Sequence, residues 1–401
     1  MKNAKMSRRT LLQGASAGLA TMVATPLQAG EKRSKRLIGY TEYRTNLPGG
    51  HHANIVTMRA CVVREDGTGR RVLAESLTKE PNAWTQFSGW SPDGKTAIIG
   101  RGWESEENGA WEEAHKTFRF SEGWLYDMYL LTMRTGKTRN VTSVDRVSTY
   151  NTGLFYWPKQ PNTFGFQALI NGDSHPFRMD GDGQNKRDLT EGSHEFAYGF
   201  NATQDGKRIA YHKNYQVWIA DSDGSHATHI KTGKPFNFAP QWSPDGERLL
   251  FLSGEHYDCH PYTVRRDGSE LRQIGDRKGY KGVVDFLDVF DFHSGSSDVP
   301  VWSADGKAVF YTVKIGTNVE LMRTTLDGKP EQLTHSTENT LHYHSVPAPE
   351  GGGLLFGSNR SGIRQLYVMP TSGREEAHAI TSVKEGWGAL WGHWQPIPTA
   401  K

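Results

Sequence analysis

Trp90-Ser91-Pro92-Asp93-Gly94 is the stretch that decides the fold, because it recurs as Trp242-Ser243-Pro244-Asp245-Gly246 and as Trp302-Ser303-Ala304-Asp305-Gly306. Weaker copies stand at 203–206 and 348–351. Each copy precedes a run rich in β-forming residues. The Pro-Asp-Gly step therefore predicts a tight hairpin turn, in which Pro presets φ and Gly accepts a positive φ. We expect the preceding Trp to pack between neighbouring sheets.

A second set of turns alternates with the first. Seven glycines mark these turns: Gly67, Gly136, Gly183, Gly224, Gly268, Gly328 and Gly373. Two hairpins per repeat make a four-stranded antiparallel blade, and seven repeats of about 40 to 50 residues predict an all-β, seven-bladed β-propeller. The segment 35–40 lacks a first strand and the segment 391–396 lacks a second strand. We therefore expect the two ends to complete one blade, so that residues 30–401 form a single propeller domain.

Composition excludes several classes of protein. The chain has 401 residues, of which 36% are hydrophobic, and it has no run of 18 apolar residues that would span a membrane. Without residues 1–29, 43 basic and 44 acidic side chains remain. Such a balance argues against nucleic-acid binding and against a membrane-surface protein. Cys61 and Cys259 lie far apart in the chain, and we interpret them as buried thiols without a disulfide.

Residues 1–29 have the pattern of an export signal. A basic head precedes a short apolar stretch, and Pro26-Leu27-Gln28-Ala29 fits a cleavage site. The run Ser7-Arg8-Arg9-Thr10-Leu11-Leu12 resembles the twin-arginine signal, which directs folded proteins across the bacterial membrane. An ordinary Sec signal is the alternative. Both alternatives predict a periplasmic or secreted protein.

Two intervals between the turn glycines are longer than the rest, and they locate two insertions, at about 101–124 and 275–297. One follows a second strand and the other precedes a first strand. In a propeller both connections emerge on the face where the innermost strands begin, which we call the mouth face and where ligands usually bind. The run 285–292 carries three acidic residues. We interpret it as a rim segment, because it lacks the glycine-punctuated loop of a calcium site.

Histidines are numerous, 16 in all, and the blade register assigns most of them to the mouth face. This pattern predicts a His-rich funnel that binds a small acidic or carbohydrate ligand, although polar loops that merely collect histidine remain an alternative. His342 and His344 are alternate residues of a predicted inner strand, so we expect both imidazoles to share a face and reach one cation, with Asn339 just before them. Further ligand candidates are Asp298, His293 and His393.

Two family resemblances extend this interpretation. The Trp-Ser-Pro-Asp-Gly repeats resemble those of TolB-type propellers over nearly all of 35–396. The segment 339–344 resembles the metal site of the oligogalacturonate lyases, seven-bladed propellers whose last repeat reads Gln-x-x-His-x-His. Asn339, His342 and His344 match that order, with Asn in place of Gln. The resemblance implies a divalent cofactor, Mn²⁺ or Ca²⁺, and a lyase.

If the lyase interpretation holds, the metal ion neutralises a uronate carboxylate, a histidine removes the adjacent C–H proton, and β-elimination cleaves the polysaccharide. His256 is the candidate base, and Arg360 is the candidate clamp for a second carboxylate. Two other classes remain open. One is a non-catalytic TolB-like binding or assembly scaffold, with a protein partner, and the other is a metal-dependent hydrolase.

Overall fold

In a computed structural model, the structure describes residues 36–44, 58–115, 119, 123–148, 153–190, 193, 195–256, 258–284, 289–290 and 298–397. The compact unit that contains them runs from Ser34 to Lys401. The predicted signal segment 1–29, His293 and most of the acidic run 285–292 lie outside the described residues.

Within the described residues, seven four-stranded antiparallel sheets form the blades, which confirms the predicted seven-bladed β-propeller. The strands are β1 Leu37–Arg44, β2 Arg59–Arg64, β3 Arg71–Val72, β4 Ala83–Trp90, β5 Thr96–Glu104, β6 Trp124–Thr132, β7 Thr138–Asn140, β8 Leu154–Tyr156, β9 Thr163–Ile170, β10 Asp173–Asp180, β11 Arg187–Asp188, β12 Ala197–Ala202, β13 Arg208–Lys213, β14 Gln216–Asp221, β15 Thr228–Ile230, β16 Phe236–Trp242, β17 Arg248–Glu255, β18 Asp258–Arg265, β19 Arg272–Gln273, β20 Val283–Val284, β21 Val289–Phe290, β22 Val301–Trp302, β23 Ala308–Ile315, β24 Asn318–Thr325, β25 Glu331–Gln332, β26 His342–Pro347, β27 Gly353–Ser358, β28 Gln365–Pro370, β29 His378–Ala379 and β30 Trp387–Trp394.

The blades follow the chain in order, from the inner strand outward. Blade 1 is β30-β1-β2-β3, and blades 2 to 5 are β4–β7, β8–β11, β12–β15 and β16–β19. Blade 6 is β22–β25 and blade 7 is β26–β29. The two insertions carry elements of their own: the helix α1, Glu106–His115, in the first, and the hairpin β20–β21 in the second. A 3-10 helix, Glu75–Leu77, lies between blades 1 and 2.

Blade 1 closes the ring with strands from both ends of the chain. β1 pairs with β30 in antiparallel register, with Ile38 opposite Trp394 and Gly39 opposite His393. On its other edge β1 pairs with β2. The predicted closure by the two terminal strands is therefore confirmed.

The repeated turns have the predicted backbone. Gly246 has a φ of 72°, which an L side chain rarely adopts. Within the same turn the Ser243 hydroxyl donates to Asp245 Oδ1 at 2.5 Å, and it accepts from the Arg248 N–H at 2.9 Å. The hydrogen bond from Ser243 holds the pKa of Asp245 below its ordinary value. The Ser and Asp of the motif thus stabilise the turn locally.

The tryptophans of the motif join neighbouring blades, as predicted. Trp90 of blade 2 donates its indole Nε1–H to the His393 carbonyl of blade 1 at 3.0 Å. Trp302 of blade 6 donates to the Gln241 carbonyl of blade 5 at 3.3 Å. Each bond satisfies an indole donor where two apolar sheet faces meet, which stabilises the packing of one blade on the next.

The apolar core lies between adjacent blades. Tyr40 and Cys61 of blade 1 pack with Leu355 and Leu366 of blade 7 in one buried cluster. Cys61 and Cys259 are buried and are not joined by a disulfide, in agreement with the sequence interpretation. The fourth strands have exposed side chains, as in β19 and β29, and therefore form the outer edge of the ring.

A bulge recurs in the inner strands and shapes the channel wall. The register shifts by a residue within β12, β16, β26 and β30. A residue with left-handed φ stands at each shift, namely Gly199 (63°), Ala239 (49°), His344 (49°) and Trp391 (52°). Gly199 and Ala239 adjoin each other on neighbouring blades, since a Cβ on Gly199 would lie 2.8 Å from the Ala239 Cα. For His344 and Trp391 this backbone conformation is strained.

A Thr after the fourth strand makes a second recurrent set of hydrogen bonds, which the sequence analysis missed. In blade 7 the Thr381 hydroxyl donates to Gln365 Oε1 at 2.7 Å and accepts from the Leu366 N–H at 2.9 Å. The same apolar-Thr pair follows the fourth strand in blades 2, 3, 6 and 7, as Val141-Thr142, Leu189-Thr190, Leu333-Thr334 and Ile380-Thr381. The Thr therefore ties the end of the fourth strand to a polar residue on the third strand.

Candidate functional site at the inner mouth

His342 begins β26 and is fully buried. Its Nε2 lies 2.8 Å from the Ser336 hydroxyl and 3.6 Å from Glu320 Oε2, and its ring meets Phe356 edge-on at 5.3 Å. Burial lowers the pKa of His342 to about 3, and the positive charge of Arg360 lowers it further. The imidazole is therefore neutral at any physiological pH.

Glu320, the acid beside His342, is the third-strand residue that bonds the recurrent Thr in blade 6. Its carboxylate accepts hydrogen bonds from the Thr334 hydroxyl at 2.5 Å, the Ser336 N–H at 2.9 Å and the Ser336 hydroxyl at 3.1 Å. Ser336, His342 and Glu320 do not form a nucleophilic triad, because the acid contacts the serine and not His342 Nδ1. That Nδ1 atom has no hydrogen-bond partner within the described chain.

His344 points to a different neighbour. The bulge in β26 places His344 and Ser345 between the pairs Tyr343–Gly357 and Val346–Leu355. The His344 ring lies 6.2 Å from the Trp391 ring of blade 1, whereas His342 contacts blade 6. The extra residue of the bulge breaks the alternation of a regular strand, on which the predicted common face of His342 and His344 was based.

The remaining metal-ligand candidates are scattered. Asn339 is exposed, and its backbone N–H and carbonyl bond Thr317 Oγ1 and Asn359 Nδ2 in the loop that joins blades 6 and 7. His393 lies at the far end of β30, 5.6 Å from the Phe87 ring, and burial lowers its pKa to about 4. Across the ranges that the structure describes, no three His, Cys, Asp or Glu side chains are placed to hold a metal ion. The metal centre of Asn339, His342 and His344 therefore stays a prediction.

Asp298 is the candidate that does reach the inner mouth. It is buried just before β22, and its Oδ1 accepts the His344 N–H at 3.0 Å. Its Oδ2 accepts the Thr312 hydroxyl at 2.7 Å. Asp298 therefore holds the backbone of the His344 bulge and does not contact its imidazole through these bonds.

The two predicted catalytic residues lie on different blades. His256 is exposed in the turn between β17 and β18 of blade 5, where its ring stacks on Phe236 at 5.1 Å. Arg360 is exposed in the turn between β27 and β28 of blade 7, with its guanidinium 4.9 Å from the Tyr367 ring. Arg360 is near His342, whose pKa it lowers. The structure thus brings Arg360 toward one predicted site histidine and leaves His256 elsewhere.

Other described histidines have partners in their own blades. His175 pairs with Asp188 at 2.8 Å in blade 3, and His260 lies 3.2 Å from Asp258 in blade 5. His212 Nδ1 accepts the Ala239 N–H at 3.2 Å. These local pairs do not gather into one histidine cluster.

His344, Trp391 and Asp298 define what we call the inner-mouth site. His344 Nδ1 is buried and has no hydrogen-bond partner among the residues described. Trp391 presents a half-buried indole beside it. A buried polar atom without a partner next to an aromatic ring suits a ligand with a hydroxyl or amide group. The sequence analysis missed Trp391, because the bulge that places it at the position equivalent to His344 is visible only in the backbone.

The first insertion contains a buried pair of acids on the mouth side of blade 2. Glu104 ends β5 and Glu112 lies in α1; both are fully buried. The Asn108 side-chain amide donates to Glu104 Oε1 at 2.8 Å and to Glu112 Oε1 at 3.3 Å. Burial, and then the neighbouring charge of Glu112, raise the pKa of Glu104 to about 8. Two adjacent buried carboxyl groups cannot both ionise cheaply, so Glu104 keeps its proton at neutral pH.

No membrane-crossing helix is found in the described residues, since none combines sufficient length with a sufficiently apolar sequence.

No protein-family model matches the chain. One curated relative is the uncharacterized peptidase YuxL of Bacillus subtilis, 28% identical over 123 residues, which are 28% of this chain and 16% of the relative. Another is the Tol-Pal system protein TolB of Thioalkalivibrio sulfidiphilus, 30% identical over 67 residues, or 17% and 15% of the two chains. The chain thus spans about a sixth of the length of these curated relatives.

A solved structure of similar fold is an oligogalacturonate lyase in complex with manganese. It has a TM-score of 0.54 and 14% sequence identity, and the match covers 86% of each chain. At this identity the likeness shows the fold alone. It confirms the β-propeller fold, which the chain shares with oligogalacturonate lyase, and the sequence likeness to TolB extends over 67 residues.

Proposed function

We propose that the chain is a ligand-binding propeller, whose inner-mouth site takes a small carbohydrate, neutral or acidic, without catalysing its conversion. The observation that carries the proposal is His344 Nδ1, a buried polar atom without a hydrogen-bond partner in the described chain, beside the Trp391 ring. A sugar hydroxyl would satisfy that atom, and the apolar face of the sugar ring would pack on the indole.

The strained backbone supports the same proposal. His344 and Trp391 hold left-handed φ values that Gly or Asn would adopt at lower cost. Such strain is concentrated at binding and catalytic positions, because the surrounding structure has to maintain it. Asp298 contributes by holding the His344 N–H, so the bulge stays in one conformation.

Substitution of His344 and Trp391 tests the site. We expect His344→Asn and Trp391→Asn each to weaken binding of an oligogalacturonide, or of a neutral oligosaccharide of equal length, by about tenfold. Asn tolerates the left-handed backbone, so the fold should be retained. Trp218→Asn is the matched control, because Trp218 lies on the third strand of blade 4 beside Lys213. Calorimetric titration with unchanged affinity in both site variants would contradict the proposal.

The lyase chemistry implied by the family resemblance is tested with the same protein. Wild type is incubated with oligogalacturonide and with Mn²⁺ or Ca²⁺, and the ultraviolet absorbance of an unsaturated product is followed. We expect no product, because His256 and His342 lie on different blades. Product formation that requires His342 or His256 would overturn the non-catalytic proposal. A protein partner, expected for an assembly scaffold, stays a prediction.

We also propose export by the twin-arginine pathway, which the motif at Arg8 and Arg9 supports. The double variant Arg8→Lys, Arg9→Lys conserves charge, and we expect it to leave the folded protein in the cytoplasm of a bacterial host. Lys2→Arg with Lys5→Arg is the matched control and should be exported normally. Periplasmic fractionation measures the outcome, and normal export of the Arg8, Arg9 variant would exclude this route.

A further inference from the structure

A cavity opens on the mouth face, between blades 1 and 2 and apart from the inner-mouth site. It has a volume of about 470 Å³, which is within the range of small-molecule sites. Its walls come from the start of β2, from the connection between β3 and β4 that includes the 3-10 helix, and from Trp387 at the start of β30. No residue singled out by the sequence analysis lines it.

The lining of this cavity is mixed, and one part of its inner wall is apolar. Met58, Leu73 and Ala83 are buried there, and Val72 and Pro81 extend the same surface. An apolar wall of this kind favours binding of a ligand with an aliphatic or aromatic body, because each contact removes apolar surface from water.

Arg59 brings a positioned positive charge to the cavity. Its Nε and Nη2 donate to Glu42 Oε2 at 3.0 and 2.8 Å, and its guanidinium lies 4.0 Å from the Trp387 ring. These contacts hold the planar group in one orientation and leave Nη1 as the part that a ligand can use. The side chain is 37% exposed, so it remains accessible.

The charge of Arg59 is only partly balanced. Glu42 is fully buried, and it also accepts two hydrogen bonds from Arg70, at 2.6 and 2.5 Å. One carboxylate therefore serves two guanidinium groups, which leaves an excess of one positive charge. Arg70 does not line the cavity. This pair of arginines provides an internal comparison, because both bind Glu42 and only Arg59 faces the cavity.

The rim adds charges of both signs. Lys79 is exposed and makes no ion pair with a described residue, and Glu75 stands on the same rim. Glu80 is engaged by Arg101 at 2.5 Å. In the sum of charges, Glu75 cancels Lys79 and Glu80 cancels Arg101. The excess positive charge is therefore that of the group formed by Arg59, Arg70 and Glu42.

We propose that this cavity binds a small organic carboxylate with an apolar or aromatic body. The carboxylate pairs with Arg59, and the body packs on the wall formed by Met58, Leu73 and Ala83. Neither His344 nor Trp391 takes part, so this site is independent of the carbohydrate site proposed above.

Phenylacetate is a suitable probe, and phenylacetamide is its neutral counterpart. We expect the wild-type protein to bind phenylacetate, as measured by calorimetry or by tryptophan fluorescence, and to bind phenylacetamide at least about tenfold more weakly. Arg59→Gln should lower the affinity for phenylacetate by about tenfold or more. Arg70→Gln removes the excess charge but leaves the Arg59 guanidinium in the cavity, so it should lower the affinity clearly less than Arg59→Gln does.

A steric variant keeps the test decisive if Arg59→Gln alters the fold. Thr78 lines the cavity at its rim, so Thr78→Trp should block phenylacetate binding while circular dichroism and Tm stay as in wild type. His344→Asn should leave phenylacetate binding unchanged, which separates this proposal from the carbohydrate site. Equal affinity for phenylacetate and phenylacetamide, or equal effects of Arg59→Gln and Arg70→Gln, would overturn it.

Discussion

Deletion of residues 388–401 is expected to destabilise the entire propeller, with a Tm at least about 10 °C below that of wild type or no cooperative transition. β30 is the inner strand of blade 1, and its loss leaves β1 with an unpaired edge in the ring. The deletion also removes the buried side chains of Leu390 and Trp394. The indole of Trp394 donates to the Val346 carbonyl of blade 7 at 2.9 Å, so this hydrogen bond between blades 1 and 7 is lost too.

A shorter deletion is the matched control for this experiment. Removal of 397–401 spares β30 and also Gln395, which bonds the backbone of Leu37 at 2.9 and 3.0 Å. Ile397 is exposed, so its loss costs little burial. We expect the short deletion to keep the wild-type Tm in calorimetric scans. A long deletion with an unchanged Tm would show that the ring does not depend on this closure.

Glu104→Gln is expected to remove a pH dependence of stability and to raise the Tm at alkaline pH. The pKa of Glu104 is raised from its ordinary value of 4.5 to about 8 in the folded chain. Between these values the folded state binds a proton that the unfolded state has released, so the free energy of unfolding falls as pH rises from about 5 to 8. Above pH 8 the folded state must hold two adjacent buried carboxylates. A neutral amide avoids that cost, which is more than about 1 kcal/mol.

Tm measured from pH 5 to pH 9 gives the comparison. Wild type should lose several degrees over this range, and Glu104→Gln should lose clearly less. Glu107→Gln is the matched control, because Glu107 is exposed on the same helix and its charge is solvated. It should follow the wild-type profile. A Glu104→Gln profile parallel to that of wild type would show that Glu104 is ionised in the folded chain.

The prediction of the two histidines shows where sequence reasoning ended. His342 and His344 were assigned to one strand correctly, since β26 begins at His342. Regular alternation was assumed, because the left-handed residue at position 344 is visible only in the backbone. Trp391 was missed for the same reason, as it stands in a bulge at the equivalent position of β30.

Buried acidic side chains were the other class of feature that the sequence did not reveal. Glu42, Glu104 and Glu320 look like ordinary surface acids in the sequence, yet each is buried. Their hydrogen-bond partners lie from 2 to 28 positions away along the chain: Tyr40 is 2 positions from Glu42, and Arg70 is 28 positions from it. Repeated apolar-Thr pairs such as Leu333-Thr334 carried a signal for Glu320, because the Thr bonds a polar residue of the third strand in several blades.

The sequence by itself determined the number of blades, their strand order and the closure of the ring. Those properties follow from short turn motifs such as Trp242-Ser243-Pro244-Asp245-Gly246, whose hydrogen bonds are local and whose copies repeat along the chain. Only the tertiary structure decided which side chains meet at the inner mouth and in the cavity beside Arg59. These contacts join residues of different blades, such as His344 with Trp391, and they depend on bulges and burial that no local pattern encodes.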